Sequence, residues 1–129
     1  MTAAAVALRA SVDLPATPAS VSAARRVAHH LLTGWSAEPF CDDALLLLTE
    51  LVSNVVRHVT GRAPLRLELS LTGLVLYVAV LDTSTTPPVP GAPTGDGGYG
   101  LQLVDALSDS WGTQDHPGGK RVWFELRRA

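Results

Sequence analysis

In the stretch TELVSNVVRH, residues 49–58, Glu50, Asn54 and His58 follow one another at intervals of four. On a helix turning about 100° per residue, these three span about 80° of the surface, while Leu48, Leu51, Val52, Val55 and Val59 gather on the other side. The polar file is therefore a face. It could be the solvated edge of an amphipathic helix, but such an edge normally carries Lys, Arg and Glu in pairs. Glu followed by Asn instead sets a proton acceptor beside a neutral oxygen ligand, a pair suited to a hard cation and general-base chemistry. His58 also reads as a helix-end histidine near the negative pole of the helix dipole.

Two further places could join such a site. Asp82 closes the apolar run LVLYVAVLD, where a carboxylate is either a turn former or a hydrogen-bond acceptor. The glycines of GDGGYGL lead into a short helical pattern, and a glycine-rich turn at a helix N-terminus presents backbone N–H groups that suit phosphate. Glycines also serve ordinary turns. The sequence contains no GxxxxGK[ST], which excludes a P-loop.

These residues need elements to hold them. Val6, Leu8, Ala10, Val12 and Leu14 alternate with small or polar neighbours and predict a half-buried opening strand that ends at Pro15. Thr17 as cap and Pro18 at the first position predict a helix with Val21, Ala24, Ala28 and Leu31 inward, Arg25, Arg26 and His29 outward, and Gly34 as its stop. Adjacent His29 and His30 diverge on a helix and make a poor metal clamp. A second helix starts near Pro39 and runs through the polar file to a cap at Gly61. Leu65, Leu67, Leu69 and Leu71 predict a strand that turns at Thr72-Gly73 into the apolar, central strand ending at Asp82. Residues 83–98, TSTTPPVPGAPTGDGG, hold almost nothing a core could use and predict a functional lid or a disordered excursion. A short helix with Leu101, Val104 and Leu107 inward follows. A hairpin through DHPGG, with Val122, Phe124 and Leu126 on one face, closes the chain. The order predicts one domain, residues 1–129, of the α+β class: a two-layer sandwich of a mixed, mostly antiparallel sheet with helices on one face.

Composition narrows the function classes. A chain of 129 residues, 47% hydrophobic and 17% charged, suits a single globular domain. A formal net charge of -2 gives no general attraction to nucleic acid or anionic membrane, and Lys120, Arg121, Arg127 and Arg128 read as a solvated strand rim. Cys41 is the only cysteine, which removes internal disulfides and cysteine-based zinc sites and fits a reducing compartment; it reads as a small buried hydrophobe. With no apolar run of about 18 residues and no charged segment before the apolar start, a soluble cytoplasmic protein is expected.

Taken in order, ELVSNVVRH, VLDTS and GGYGLQLV resemble the three boxes of the gyrase and histidine-kinase type, or Bergerat-type, ATP-binding fold. The whole chain is similar to the small anti-sigma-factor serine-protein kinases and their actinobacterial relatives. The resemblance implies that Glu50 is the general base on an attacking hydroxyl and that Asn54 binds the magnesium that bridges the phosphates of ATP. It places Arg57 and His58 at the phosphate end, gives Asp82 the adenine amino group, and gives the backbone from Gly97 through Gly98, Tyr99 and Gly100 to Leu101 to the phosphates. It also implies a serine on an antagonist protein as phosphoryl acceptor, with a sigma factor competing for the same kinase; a homodimer is compatible with it.

Three positions depart from the family pattern. Tyr99 stands where close relatives often have Arg, Ser84 where other branches of the fold have Gly, and Arg121 where a threonine near the adenine is common. In addition, no Lys or Arg occurs from residue 67 through 119. The triphosphate would then rely on magnesium, backbone N–H groups and Arg57 or Lys120, implying modest affinity tightly dependent on magnesium. Three functions stay open: a serine/threonine-protein kinase regulating transcription, an ATP-gated binding module without kinase activity, and a nucleotide-free scaffold of the same fold.

Overall fold

The computed structural model describes residues 7–58, 64–83 and 100–128. The chain runs β1 (Ala7–Leu14), α1 (Ala19–Gly34), a 3-10 turn (Glu38–Phe40), α2 (Cys41–His58), β2 (Leu65–Thr72), β3 (Val75–Asp82), α3 (Gly100–Leu107), β4 (Ser110–His116) and β5 (Gly119–Arg127). The five strands form one sheet in the order β1-β2-β3-β5-β4, with every described pairing antiparallel. β3 is central, as its two apolar faces predict. The α+β sandwich expected from the element order is the architecture observed.

Strand alternation decides what each side of the sheet does. Leu65, Leu67 and Leu69 of β2, Leu76, Val78 and Val80 of β3, and Val122, Phe124 and Leu126 of β5 form one buried layer. Against it lie Ala24, Ala28 and Leu32 of α1, Leu47, Leu48, Leu51, Val52 and Val55 of α2, and Leu101 and Val104 of α3. Burial of these apolar surfaces is the main force that fixes α2 and α3 on the sheet. The other face carries Arg66, Glu68, Tyr77, Arg121 and Trp123, with the Tyr77 and Trp123 rings stacked at 5.9 Å.

Several local expectations shift. The deepest positions of α1 are Ser20, Ala24, Ala28 and Leu32, while Val21 and Leu31 are only partly buried. Ser20 is tolerated inside because its hydroxyl donates to the Pro15 carbonyl. Thr17 helps start the helix through its carbonyl, which accepts from the Ser20 amide at 2.9 Å, and no side-chain cap bond forms. α1 does stop at Gly34, and the left-handed residue beyond it is Ser36, at φ 56°. In α3, Leu107 is 40% exposed and Leu103 is the residue packed against the core. The expected cap at Gly61 lies outside the described residues.

The basic end of the chain is not a simple solvated rim. Arg128 donates to Asp43 at 2.5 Å and to the Pro39 carbonyl at 3.2 Å, and lies over the Phe40 ring at 5.6 Å, tying β5 to the start of α2. Arg121 donates to Glu68 at 2.7 Å and to the Tyr77 hydroxyl at 3.1 Å. Among the described residues no helix is long and apolar enough to cross a membrane.

Candidate functional site

The polar file is a real face of α2. Leu47, Leu48, Leu51, Val52 and Val55 are buried against the sheet, Glu50 and Asn54 are half-buried, and Arg57 and His58 are exposed at the last turn. Asp42 and Asp43 occupy the first turn and Arg57 and His58 the last, which complements the helix dipole at both ends. Glu50 and Asn54 therefore stand one turn apart on a helix whose opposite face is locked into the core.

Two arginines, Arg57 and Arg25, organise this helix surface. Arg57 Nη2 donates to Asn54 Oδ1 at 2.7 Å. Upstream, Arg25 of α1 donates from Nη1 to Thr49 Oγ1 at 2.6 Å and to the Leu45 carbonyl at 3.1 Å, while the Thr49 hydroxyl donates to that same carbonyl at 2.6 Å. Arg25 was expected on the outer side of α1. It remains exposed, yet it fixes the turn immediately before Glu50, a role that α1 periodicity alone could not reveal.

Asp82 ends β3 on the helix side of the sheet. The alternation that buries Val78 and Val80 continues to Asp82, which is 4% exposed. Its cross-strand neighbour is Lys120, the pair lying in register with Val80 and Val122. Arg121, one residue on, pairs with Leu81 and belongs to the outer face, where Glu68 and Tyr77 hold it. The position facing Asp82 is thus Lys120, and strand parity puts Arg121, which stands where the family commonly has a threonine, on the opposite face of the sheet.

Gly119 explains how these strand ends meet. A Cβ there would lie 1.7 Å from the Asp82 carbonyl oxygen and 2.8 Å from Thr83 Cα. Only a residue without a side chain permits the β5 backbone to approach this closely. The sequence pattern presents Gly118-Gly119 merely as turn residues; Gly118, at φ 85°, does serve the turn. The two glycines have different jobs.

α3 packs on α2 and against β4, and Trp111 Nε1 donates to Asp105 Oδ1 at 2.8 Å to hold that junction. The start of α3 at Gly100 places Leu101, 7% exposed, in the core shared with α2. Ser84, Gly97, Gly98 and Tyr99, and the expected lid apart from Thr83, lie outside the described residues. The structure thus brings Glu50, Asn54, Arg57 and His58 onto one helix face and Asp82 onto the same side of the sheet.

The donor set on α2 fits a hard divalent cation that takes most of its ligands from elsewhere. Among the described residues no group of three or more His, Cys, Asp or Glu side chains is arranged to hold a metal. A lone amide oxygen beside a carboxylate matches magnesium, which keeps water and phosphate oxygens in its shell. A separate concavity of about 560 Å³ lies on the outer face, lined by Arg9, Ser11, Glu68, Ser70, Tyr77 and Arg121. It is on the opposite side of the sheet from Asp82.

Comparison with known proteins adds a family. The sequence profile described as the histidine kinase-like ATPase domain matches residues 14–126. Among solved structures, the RsbU and RsbW domains of Rv1364c from Mycobacterium tuberculosis superpose with a TM-score of 0.74 at 18% identity. That match covers 93% of this chain and 32% of the other, so the chain spans about a third of that neighbour. No curated protein matches.

Proposed function

Because the chain belongs to the histidine kinase-like ATPase domain family, we propose that it is a magnesium-ATP-binding regulatory serine/threonine-protein kinase of the anti-sigma-factor type. The observation that carries this reading is the half-buried pair Glu50 and Asn54, one turn apart on α2, on the same side of the sheet as the buried Asp82. In this reading Asp82 accepts from the adenine amino group. Asn54 is the magnesium ligand, and Arg57 and His58 border the phosphates. Ser84 lies beside the base, and the backbone from Gly97 to Leu101 meets the phosphates.

For phosphoryl transfer, Glu50 takes the proton of an acceptor serine hydroxyl as its oxygen forms a bond to the γ-phosphorus and the bond to ADP breaks. Bound magnesium would offset the phosphate charge. The chain's own part is orientation: Arg25 holds the helical turn before Glu50, and the buried face of α2 fixes the carboxylate relative to Asn54. Residues 83–98 act as a lid over the nucleotide. The partners are an antagonist protein that supplies the serine and a sigma factor that competes with it, in the cytoplasm, without direct contact to nucleic acid or membrane.

A second reading, an ATP-gated binding module without kinase activity, is favoured by the absence of Lys and Arg from residue 67 through 119. Incubation with labelled ATP and candidate antagonists separates the two. Phosphoserine that disappears in Glu50→Ala, with nucleotide binding retained, supports the kinase; transfer undiminished in Glu50→Ala removes the assigned base. Partner affinity that shifts with ATP while no phosphoserine forms supports the module.

A further inference from the structure

Asn54 Oδ1, the oxygen given to magnesium above, already accepts a hydrogen bond from a cation, since Arg57 Nη2 lies 2.7 Å from it. That guanidinium makes no other hydrogen bond among the described residues, which leaves four of its five N–H donors for a ligand. The surrounding elements provide little competition. β3 and α3 contain no Lys or Arg, Arg25 is committed to Thr49 and Leu45 on the far side of Glu50, and Arg121 is on the outer face. Lys120 is placed at the Asp82 end by its register. Arg57 is thus the arginine beside the amide that the phosphate end is built around.

We propose that Arg57 is a built-in stand-in for the divalent cation: in the metal-free protein its guanidinium occupies the Asn54 oxygen and supplies positive charge to nucleotide phosphate from that position. The inference rests on the nucleotide-binding reading of this face. Two positive groups on one amide oxygen repel, so arrival of the magnesium nucleotide releases the guanidinium. Arg57 consequently supports metal-free binding and competes with the metal for its ligand. Both effects reduce the magnesium dependence of the wild type below what the lysine- and arginine-free stretch from 67 through 119 implies.

Calorimetric titration of ATP into wild type, Arg57→Met and Arg57→Lys, once with magnesium and once with EDTA, tests this. The wild type binds in both conditions. Arg57→Met weakens the EDTA titration by about fivefold, the scale of one exposed charged pair, and the magnesium titration by less, because the metal takes over the charge at the Asn54 oxygen, so the ratio between them widens. Arg57→Lys falls between. A ratio equal to that of wild type overturns the proposal, whether both affinities fall together, as for a metal-independent phosphate contact, or neither moves, as for an ordinary helix surface pair. Wild type that binds with magnesium but not with EDTA also overturns it, while absence of binding in both conditions overturns the nucleotide reading itself. An NMR readout is independent of affinity. The Arg57 Nε resonance should shift in Asn54→Ala and shift again in wild type on addition of magnesium-ATP; a resonance unmoved by both overturns the proposal.

Discussion

Replacing Gly119 by Ala should separate the ends of β3 and β5 and displace Asp82. The added Cβ would sit 1.7 Å from the Asp82 carbonyl oxygen, 2.7 Å from its carbonyl carbon and 2.8 Å from Thr83 Cα, all of them backbone atoms. Because no rotamer change relieves a backbone clash, the strands must part by about 1.5 Å, at the upper end of overpacking costs or about 3 kcal/mol. For a domain of this length each kcal/mol lowers Tm by about 4 °C, which gives a fall of about 12 °C. Gly118→Ala is the control: its φ of 85° disfavours a side chain, yet a Cβ there meets nothing within 4 Å. It should cost about 1 kcal/mol of backbone strain, or about 4 °C, without moving Asp82. Thermal unfolding by circular dichroism, with nucleotide titration on the folded variants, reads both effects. Gly119→Ala within 2 °C of wild type, on the order of the ~0.5 kcal/mol of a neutral substitution, would refute the close approach.

Other perturbations probe other links. Phe124→Ala removes the largest fully buried side chain of the core and should cost about 3–5 kcal/mol in denaturant unfolding. Arg128→Ala should cost about 1 kcal/mol by freeing the chain end from Asp43, Pro39 and Phe40, and Asp43→Ala in the same background should add little. The Cys41 thiol is pushed up by burial first and then by Glu38 and Asp42, so its labelling by iodoacetamide should rise at more alkaline pH than that of a free thiol. The folded state holds that proton more tightly than the unfolded one, and stability should accordingly decline as pH rises past about 8.5.

What the sequence conveys depends on how many neighbours vote on each residue. Alternation along β2, β3 and β5 is sustained over whole strands, and one misread residue does not change the face. The polar file on α2 is legible for the same reason, with five apolar side chains opposing it. Single-residue judgements fare less well. Arg121 and Lys120 exchange faces on a shift of one position, and only the Asp82–Lys120 register settles which of them faces the helices. The burial of Ser20 depends on the Pro15 carbonyl as its partner, which helical periodicity does not signal. Leu107 reads as core because periodicity takes no account of where α3 ends. The intimacy of Gly119 with Asp82 and the reach of Arg25 to Thr49 are long-range contacts, for which local spacing has no signal.

The central claim, a magnesium-ATP site on the helix side of the sheet, is tested most directly by calorimetric titration of magnesium-ATP into wild type, Asn54→Ala and Asp82→Ala. One saturable site is expected in wild type, weakened about tenfold or more in each variant, since each loses a contact to a charged group or buried base worth about 1.5–3 kcal/mol. Circular dichroism should show both variants folded. Absence of binding at millimolar magnesium-ATP, with no rise in Tm, would contradict the claim, as would binding that both substitutions leave unchanged.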